Sequence, residues 1–208
     1  ASLAGLALSG CTATGELRDP AVLHTSENWA QIYGPIPQEQ FPVPAVDLSK
    51  VDEKYYRGQI KYETDEPVGS VIVDTAKFYL YFVQPDDLAM RYGVGLGRAG
   101  FEWSGRARIA WKRKWPKWTP PKAMIEREPE LEKYSVANGG MPPGLENPLG
   151  ARALYIFEGK VDTLYRLHGT QEFDSIGNAV SSGCVRLLNQ DIIDLYDRVP
   201  SGAPIRVL

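Results

Sequence analysis

Short β-branched and aromatic runs, each cut off by glycine or proline, recur through most of this 208-residue chain. Twenty glycines and sixteen prolines favour turns and bends over long helices. Val68-Gly69-Ser70-Val71-Ile72-Val73-Asp74 and Lys77-Phe78-Tyr79-Leu80-Tyr81-Phe82-Val83, separated by Thr75-Ala76, read as a strand pair. Both faces of the second run are apolar, which suits a strand buried between layers. Residues 90–96, 106–111, 151–157, 163–168 and 204–208 are further strand candidates, and Glu158-Gly159-Lys160 reads as a hairpin turn. So many short strands predict a mainly β fold, a sandwich or barrel-like sheet.

One helix stands out. Asn189 reads as its N-cap, Asp191 in its first turn suits the helix dipole, and Ile192, Leu195, Tyr196 and Val199 share an apolar face before Pro200 stops it. Residues 12–46 carry Gly34-Pro35-Ile36-Pro37 and Phe41-Pro42-Val43-Pro44 without periodicity and read as extended or linker-like. A short helix or arm is expected between Leu48 and Tyr62. No internal repeat or low-complexity tract interrupts the body.

The hydrophobic fraction of 43% and charged fraction of 24% are ordinary for a soluble globular protein. A net charge of -3 gives no global field toward nucleic acid or anionic lipid. No apolar run is long enough to span a bilayer. The first ten residues are small and apolar and read as the remnant of a signal peptide, and Leu8-Ser9-Gly10-Cys11 resembles a bacterial lipobox. Acylation at Cys11 would tether the protein to a membrane rather than thread it. A disulfide from Cys11 to Cys184 would join a flexible leader to the core and is not expected.

Reactive side chains are scarce. The chain has two cysteines, Cys11 and Cys184, and two histidines, His24 and His168. Cys11 and His24 lie in the leader, so one Cys and one His remain, sixteen positions apart, in Leu167-His168-Gly169-Thr170 and Ser181-Ser182-Gly183-Cys184-Val185-Arg186-Leu187. A cysteine nucleophile needs a base, and histidine is the usual one. With His168 at a strand end and Cys184 in a glycine turn, residues 169–183 can double back and bring the two together. Gly183 permits a sharp turn beside the sulfur, and backbone N–H groups there could hold an oxyanion. The Gly169 carbonyl is a candidate orienter of the imidazole. Arg186, two positions past Cys184, would share the sulfur's face in an extended segment, where it could bind a carboxylate or steady a thiolate. The plain alternative is a buried structural Cys and a satisfied His.

Ser181-Ser182-Gly183-Cys184-Val185-Arg186 resembles the signature of the L,D-transpeptidase (YkuD) catalytic domain, and Leu167-His168-Gly169-Thr170 its His-Gly-Thr segment. The resemblance continues in order through Val71-Ile72-Val73-Asp74, Arg91-Tyr92-Gly93-Val94-Gly95, the stretch from Trp115 to Pro121, and Asn147-Pro148-Leu149-Gly150-Ala151-Arg152. It implies a YkuD-like β-sandwich over residues 67–208, preceded by an arm or linker over 11–66. It also implies Cys184 as nucleophile, His168 as base and then acid, Gly169 as orienter and Arg186 near the thiol. Many members carry His where this chain has Ser182, a residue that can still donate a hydrogen bond. The implied reaction is acyl transfer on peptidoglycan stems. The thiolate attacks the third-position diamino acid carbonyl, expels D-alanine, and passes the acyl group to an amine of another stem or of an outer-membrane protein or lipoprotein. Hydrolysis at the same site and a non-catalytic wall-binding lipoprotein are the alternatives. A monomer in the periplasm or cell envelope, acylated by carbapenems and free of metal and cofactor, completes the implied picture.

Trp111-Lys112-Arg113-Lys114-Trp115-Pro116-Lys117-Trp118 interleaves aromatics and cations. On a mildly acidic chain this reads less as a nucleic-acid site than as a loop, its Trp118 lining a substrate groove or simply packing. Gly93-Val94-Gly95-Leu96-Gly97 lacks the dinucleotide spacing and suits strand bends. Residues 138–144 read as a flexible loop near the site.

Overall fold

The computed structural model describes residues 22–23, 29–97, 104–181 and 184–208. Among them eleven strands form one sheet, in the order β1-β4-β3-β2-β11-β6-β7-β8-β10-β5-β9. Their ranges are β1 Gly58–Lys61, β2 Val71–Asp74, β3 Tyr79–Gln84, β4 Leu88–Gly93, β5 Gly95–Gly97, β6 Gly105–Lys114, β7 Arg152–Glu158, β8 Val161–Thr170, β9 Ala179–Ser181, β10 Val185–Leu188 and β11 Pro204–Val207. The mainly β architecture is the one the sequence predicts. Val71, Leu80, Tyr92, Leu96, Ile109, Leu154, Leu167 and Val185, drawn from strands β4 through β5 of the sheet order, fall in one buried cluster. The sheet therefore wraps around a shared core, as a sandwich does.

The apolar character of both faces of β3 is explained by that wrapping. Leu80 enters the main core, whereas Tyr79, Tyr81 and Val83 enter a second cluster with Ile60, Ile72 and Ala89. Glu158 pairs with Val161 across Gly159-Lys160, and Gly159 takes φ 58 there, the left-handed conformation that a two-residue hairpin demands.

Three short α-helices decorate the sheet: α1 Trp29–Ile32, α2 Lys122–Arg127 and α3 Asn189–Arg198. In α3, Ile192 and Leu195 are buried in the main core, Val199 closes the same face, and the chain turns out at Pro200. The sequence expectation for Asn189 is corrected. The residue before α3 is Leu188, with no side-chain capping bond, and Asn189 is the first helical residue. Its Oδ1 instead accepts from the Ala151 backbone N–H at 2.9 Å, tying the helix to the start of β7.

The segment that reads as linker-like is packed. Tyr33, Val46, Val51 and Tyr56 form a third cluster with Ile176 and Leu188. Each such buried side chain is worth about 1.5–3 kcal/mol. Gln190 Nε2 donates to the carbonyls of Gly34 (3.1 Å) and Pro44 (2.9 Å). Glu39 pairs with Arg152 at 2.6 Å and accepts from Trp115 Nε1 at 2.8 Å. Asp47 and Asp52 cap two 3-10 turns at 48–50 and 53–55, so the expected short helix between Leu48 and Tyr62 is two turns followed by β1. No helix among the described residues is long and apolar enough to cross a membrane.

Candidate active site

His168 lies near the end of β8, and Cys184 immediately precedes β10. The two strands are parallel neighbours, with Val185 opposite Leu167 and Arg186 opposite His168. Parallel strands need a crossover, and the chain after β8 runs into it through a 3-10 turn at 173–175 and β9. Leu167, Val185 and Leu187 point into the main core, so the alternate residues His168 and Arg186 occupy the opposite face. Continuing that alternation two residues upstream of Arg186 would put Cys184 on the same face. One strand spacing across and two residues along put the Cα atoms of Cys184 and His168 about 8 Å apart. Side chains leaning toward each other can span that separation.

His168 is 5% exposed, and its Nδ1 lies 2.9 Å from the Gly169 carbonyl oxygen. A carbonyl accepts only, so in the neutral ring Nδ1 carries the hydrogen and Nε2 is left as the basic nitrogen. Burial drives the His168 pKa down to about 4, helped by the Arg186 charge and opposed by the backbone of Gly169 and Pro148. Proline has no N–H, so its carbonyl is the group that faces the ring.

Burial pushes the Cys184 thiol above its ordinary 9.0, against the lowering effects of a hydrogen bond with the Arg166 backbone and of the Arg166 and Arg186 cations. Although surrounded by protein, Cys184 keeps partial solvent exposure and is a free thiol. At neutral pH the two groups therefore rest as thiol and imidazole, not as an ion pair. A thiol and a neutral imidazole at rest would require the proton to move during any attack by the sulfur.

The backbone behind His168 is closely fitted. Gly169 N–H donates to the Leu149 carbonyl at 3.1 Å. A Cβ at Gly169 would overlap Asn189 Oδ1 and lie 3.0 Å from Ile192 Cγ2. Gly150, at φ 61, closes on the same place. Asn147, 3% exposed, donates through Nδ2 to the carbonyls of Pro116 and Pro142, both at 3.0 Å. The 147–151 turn thus forms a platform for the His168-Gly169 peptide.

Arg186 is hydrogen-bonded through Nη1 to Glu172 Oε2, a partner that sequence reasoning missed. Pro148 and Arg166 were missed as well. Their roles depend on the parallel register and on a carbonyl, neither of which leaves a residue-type signal. Trp118 is half-buried; its backbone pairs with Met141 and its ring lies 6.4 Å from that of Tyr134. Trp115 is buried against Phe41, while Lys112 Nζ donates to the Tyr196 and Val199 carbonyls at 2.6 Å each. This part of the Trp/Lys segment packs, and its lysine serves the C-terminal end of α3. Cys11, Ser182 and Gly183 lie outside the described residues.

The sequence profile of YkuD, the L,D-transpeptidase catalytic domain, matches residues 69–207. The probable L,D-transpeptidase ErfK/SrfK of Escherichia coli (strain K12) is 34% identical over 142 residues, covering 66% of this chain and 43% of that protein. The probable L,D-transpeptidase YbiS of the same strain is 31% identical over 147 residues, covering 66% and 44%. The chain thus spans less than half the length of these relatives. A crystal structure described as a probable carnitine operon oxidoreductase from Brucella melitensis is 40% identical, covers 78% of this chain and 99% of that one, and superposes with a TM-score of 0.53.

Proposed function

Since the chain belongs to the L,D-transpeptidase (YkuD) catalytic-domain family, we propose that it is a cysteine acyltransferase acting on peptidoglycan stem peptides. The observation that carries the reading is the parallel register of β8 and β10. It pairs Arg186, two residues past Cys184, with His168, whose Nδ1 lies 2.9 Å from the Gly169 carbonyl oxygen.

The donor stem enters with its third-position carbonyl over the sulfur. Nε2 of neutral His168 takes the thiol proton as sulfur bonds to the carbonyl carbon. Backbone N–H groups at Gly183 and Cys184 meet the developing oxyanion, and Ser182 adds a hydrogen bond. Imidazolium then returns the proton to the leaving amine, D-alanine departs, and a thioester remains on Cys184. An amine attacks the thioester, His168 takes its proton, and the acyl group passes to the acceptor. Arg186 binds a donor carboxylate, Trp118 contributes to the stem groove, and the Gly169 carbonyl keeps the tautomer.

The acceptor is the amine of a second stem or of a wall-anchored protein. Lipidation at Cys11 holds the protein in the cell envelope on the periplasmic side, acting as a monomer. A redox reading, suggested by the name of the Brucella protein, has less support. A dinucleotide fingerprint opens a helix, whereas Gly93, Gly95 and Gly97 are strand residues of β4 and β5.

Mass spectrometry of muropeptides after incubation with purified protein tests the proposal. Tetrapeptide stems should lose D-alanine and appear as dimers linked between diamino acids, and the Cys184→Ala variant should yield neither. Unchanged muropeptides with wild-type protein would overturn the reading.

A further inference from the structure

We infer that Glu172 is a built-in competitor for the substrate's carboxylate, seated on Arg186 until a donor peptide displaces it. This inference rests on the acyl-transfer reading above, which supplies the carboxylate. The Arg186 side chain is only 18% exposed, yet its carboxylate partner Glu172 is 67% exposed. A guanidinium set that deep, with one partner reaching in from solvent, is an anion seat with a removable occupant. Exposed carboxylates in such pairs contribute little and are screened by salt, so a ligand carboxylate can replace one.

The backbone of Glu172 is held by its own hydrogen bonds, while its side chain reaches Arg186 from the solvent side. Its N–H donates to Thr170 Oγ1 at 3.0 Å, and its carbonyl accepts from Ser175 N (3.0 Å) and Ser175 Oγ (2.6 Å). These bonds anchor the turn between β8 and β9 at a constant distance from Arg186. The seat is well placed for the chemistry. Arg186 is opposite His168 in register and follows Cys184 by two residues, and its charge acts on both groups. In a donor whose terminal residue is expelled, the carboxylate is three bonds from the attacked carbonyl carbon. A carboxylate held by Arg186 therefore brings that carbon toward the sulfur. Glu172 selects for donors that end in a free carboxylate, because a ligand without one gains nothing by displacing it.

Two probes separate this inference from the reading it rests on. The first is site-resolved alkylation of Cys184 at pH 8 with iodoacetate and with iodoacetamide, followed on the Cys184 peptide. In each case the sulfur displaces iodide, and only iodoacetate carries a carboxylate. In Glu172→Gln the iodoacetate-to-iodoacetamide rate ratio should rise threefold or more, and molar salt should shrink the difference. A general change in the thiol would move both rates and leave the ratio unchanged, and an unchanged ratio overturns the inference. The second probe compares a tetrapeptide donor with its C-terminal amide. Glu172→Gln should lower KM severalfold for the acid and leave the amide unaffected, and equal shifts for both would overturn the inference. A raised alkylation ratio with no turnover of either donor by wild-type protein would leave the anion seat standing and remove the acyl-transfer reading instead.

Discussion

Replacing Asp191 with Asn is predicted to make folding stability, nearly level in the wild type, rise with pH between pH 4 and 7. Asp191 has no exposed surface. Its carboxylate faces Arg57 Nη1 at 3.6 Å and accepts from Tyr33 OH at 3.4 Å, with Asp194 adding a like charge nearby. Burial, together with Asp194, outweighs Arg57 and Tyr33, so its pKa rises from 3.8 to about 7. A carboxyl raised in the folded state stabilises below its unfolded value, and that contribution is lost as pH climbs through about 7. His168 acts in the opposite sense. Its folded pKa of about 4 lies below 6.5, so its contribution is full above 6.5 and is lost as pH falls toward 4. At 1.36 kcal/mol per pH unit, the two are worth about 4 and about 3 kcal/mol respectively, and they nearly cancel across the shared window. Glu39, Glu66, Asp162 and Asp194 are held below their ordinary carboxyl values, so what they contribute is lost toward the acid end. Urea unfolding at pH 4, 5, 6, 7 and 8 provides the assay. Wild-type stability should be nearly level from pH 4 to 7. Asp191→Asn should gain about 3 kcal/mol on going up, and His168→Gln should lose about 4 kcal/mol. Parallel profiles for all three proteins would refute the argument.

Gly169→Ala should cost about 1–3 kcal/mol by overpacking against Asn189 and Ile192, and should also slow Cys184 alkylation by turning the imidazole. Thermal melts and iodoacetamide kinetics read the two effects. Glu39→Ala strips the partner from Arg152, which is 2% exposed, and should destabilise by about 3 kcal/mol or more in chemical denaturation. The rate of Cys184 alkylation should climb with a midpoint above pH 9 and show no plateau between pH 4 and 8, because the thiol is raised and His168 is neutral there. A plateau in that acid range would mean a resting thiolate–imidazolium pair.

Periodicity made the β2–β3 pair and the apolar face of α3 legible in the sequence, since both patterns arise from side chains facing one core. The arm was not legible. Tyr33, Val46 and Tyr56 pack singly from extended and 3-10 backbone, which has no repeat to detect. Asn189 misled because an Asn before an apolar run has the look of a cap. Its oxygen is committed instead to Ala151, a partner thirty-eight positions away. The Cys184–His168 pair could be proposed because the body of the chain offers one of each. Glu172 could not, because its meeting with Arg186 depends on where the 173–175 turn places a carboxylate relative to a parallel register.

The central claim, that His168 activates Cys184 for acyl transfer, is tested most directly by intact-protein mass spectrometry after mixing with a tetrapeptide donor and no acceptor. The predicted result is a mass increase equal to the donor minus D-alanine, carried on the Cys184 peptide, formed far more slowly in His168→Gln and not at all in Cys184→Ala. An adduct that forms equally well without the imidazole, or that maps to another residue, would contradict it.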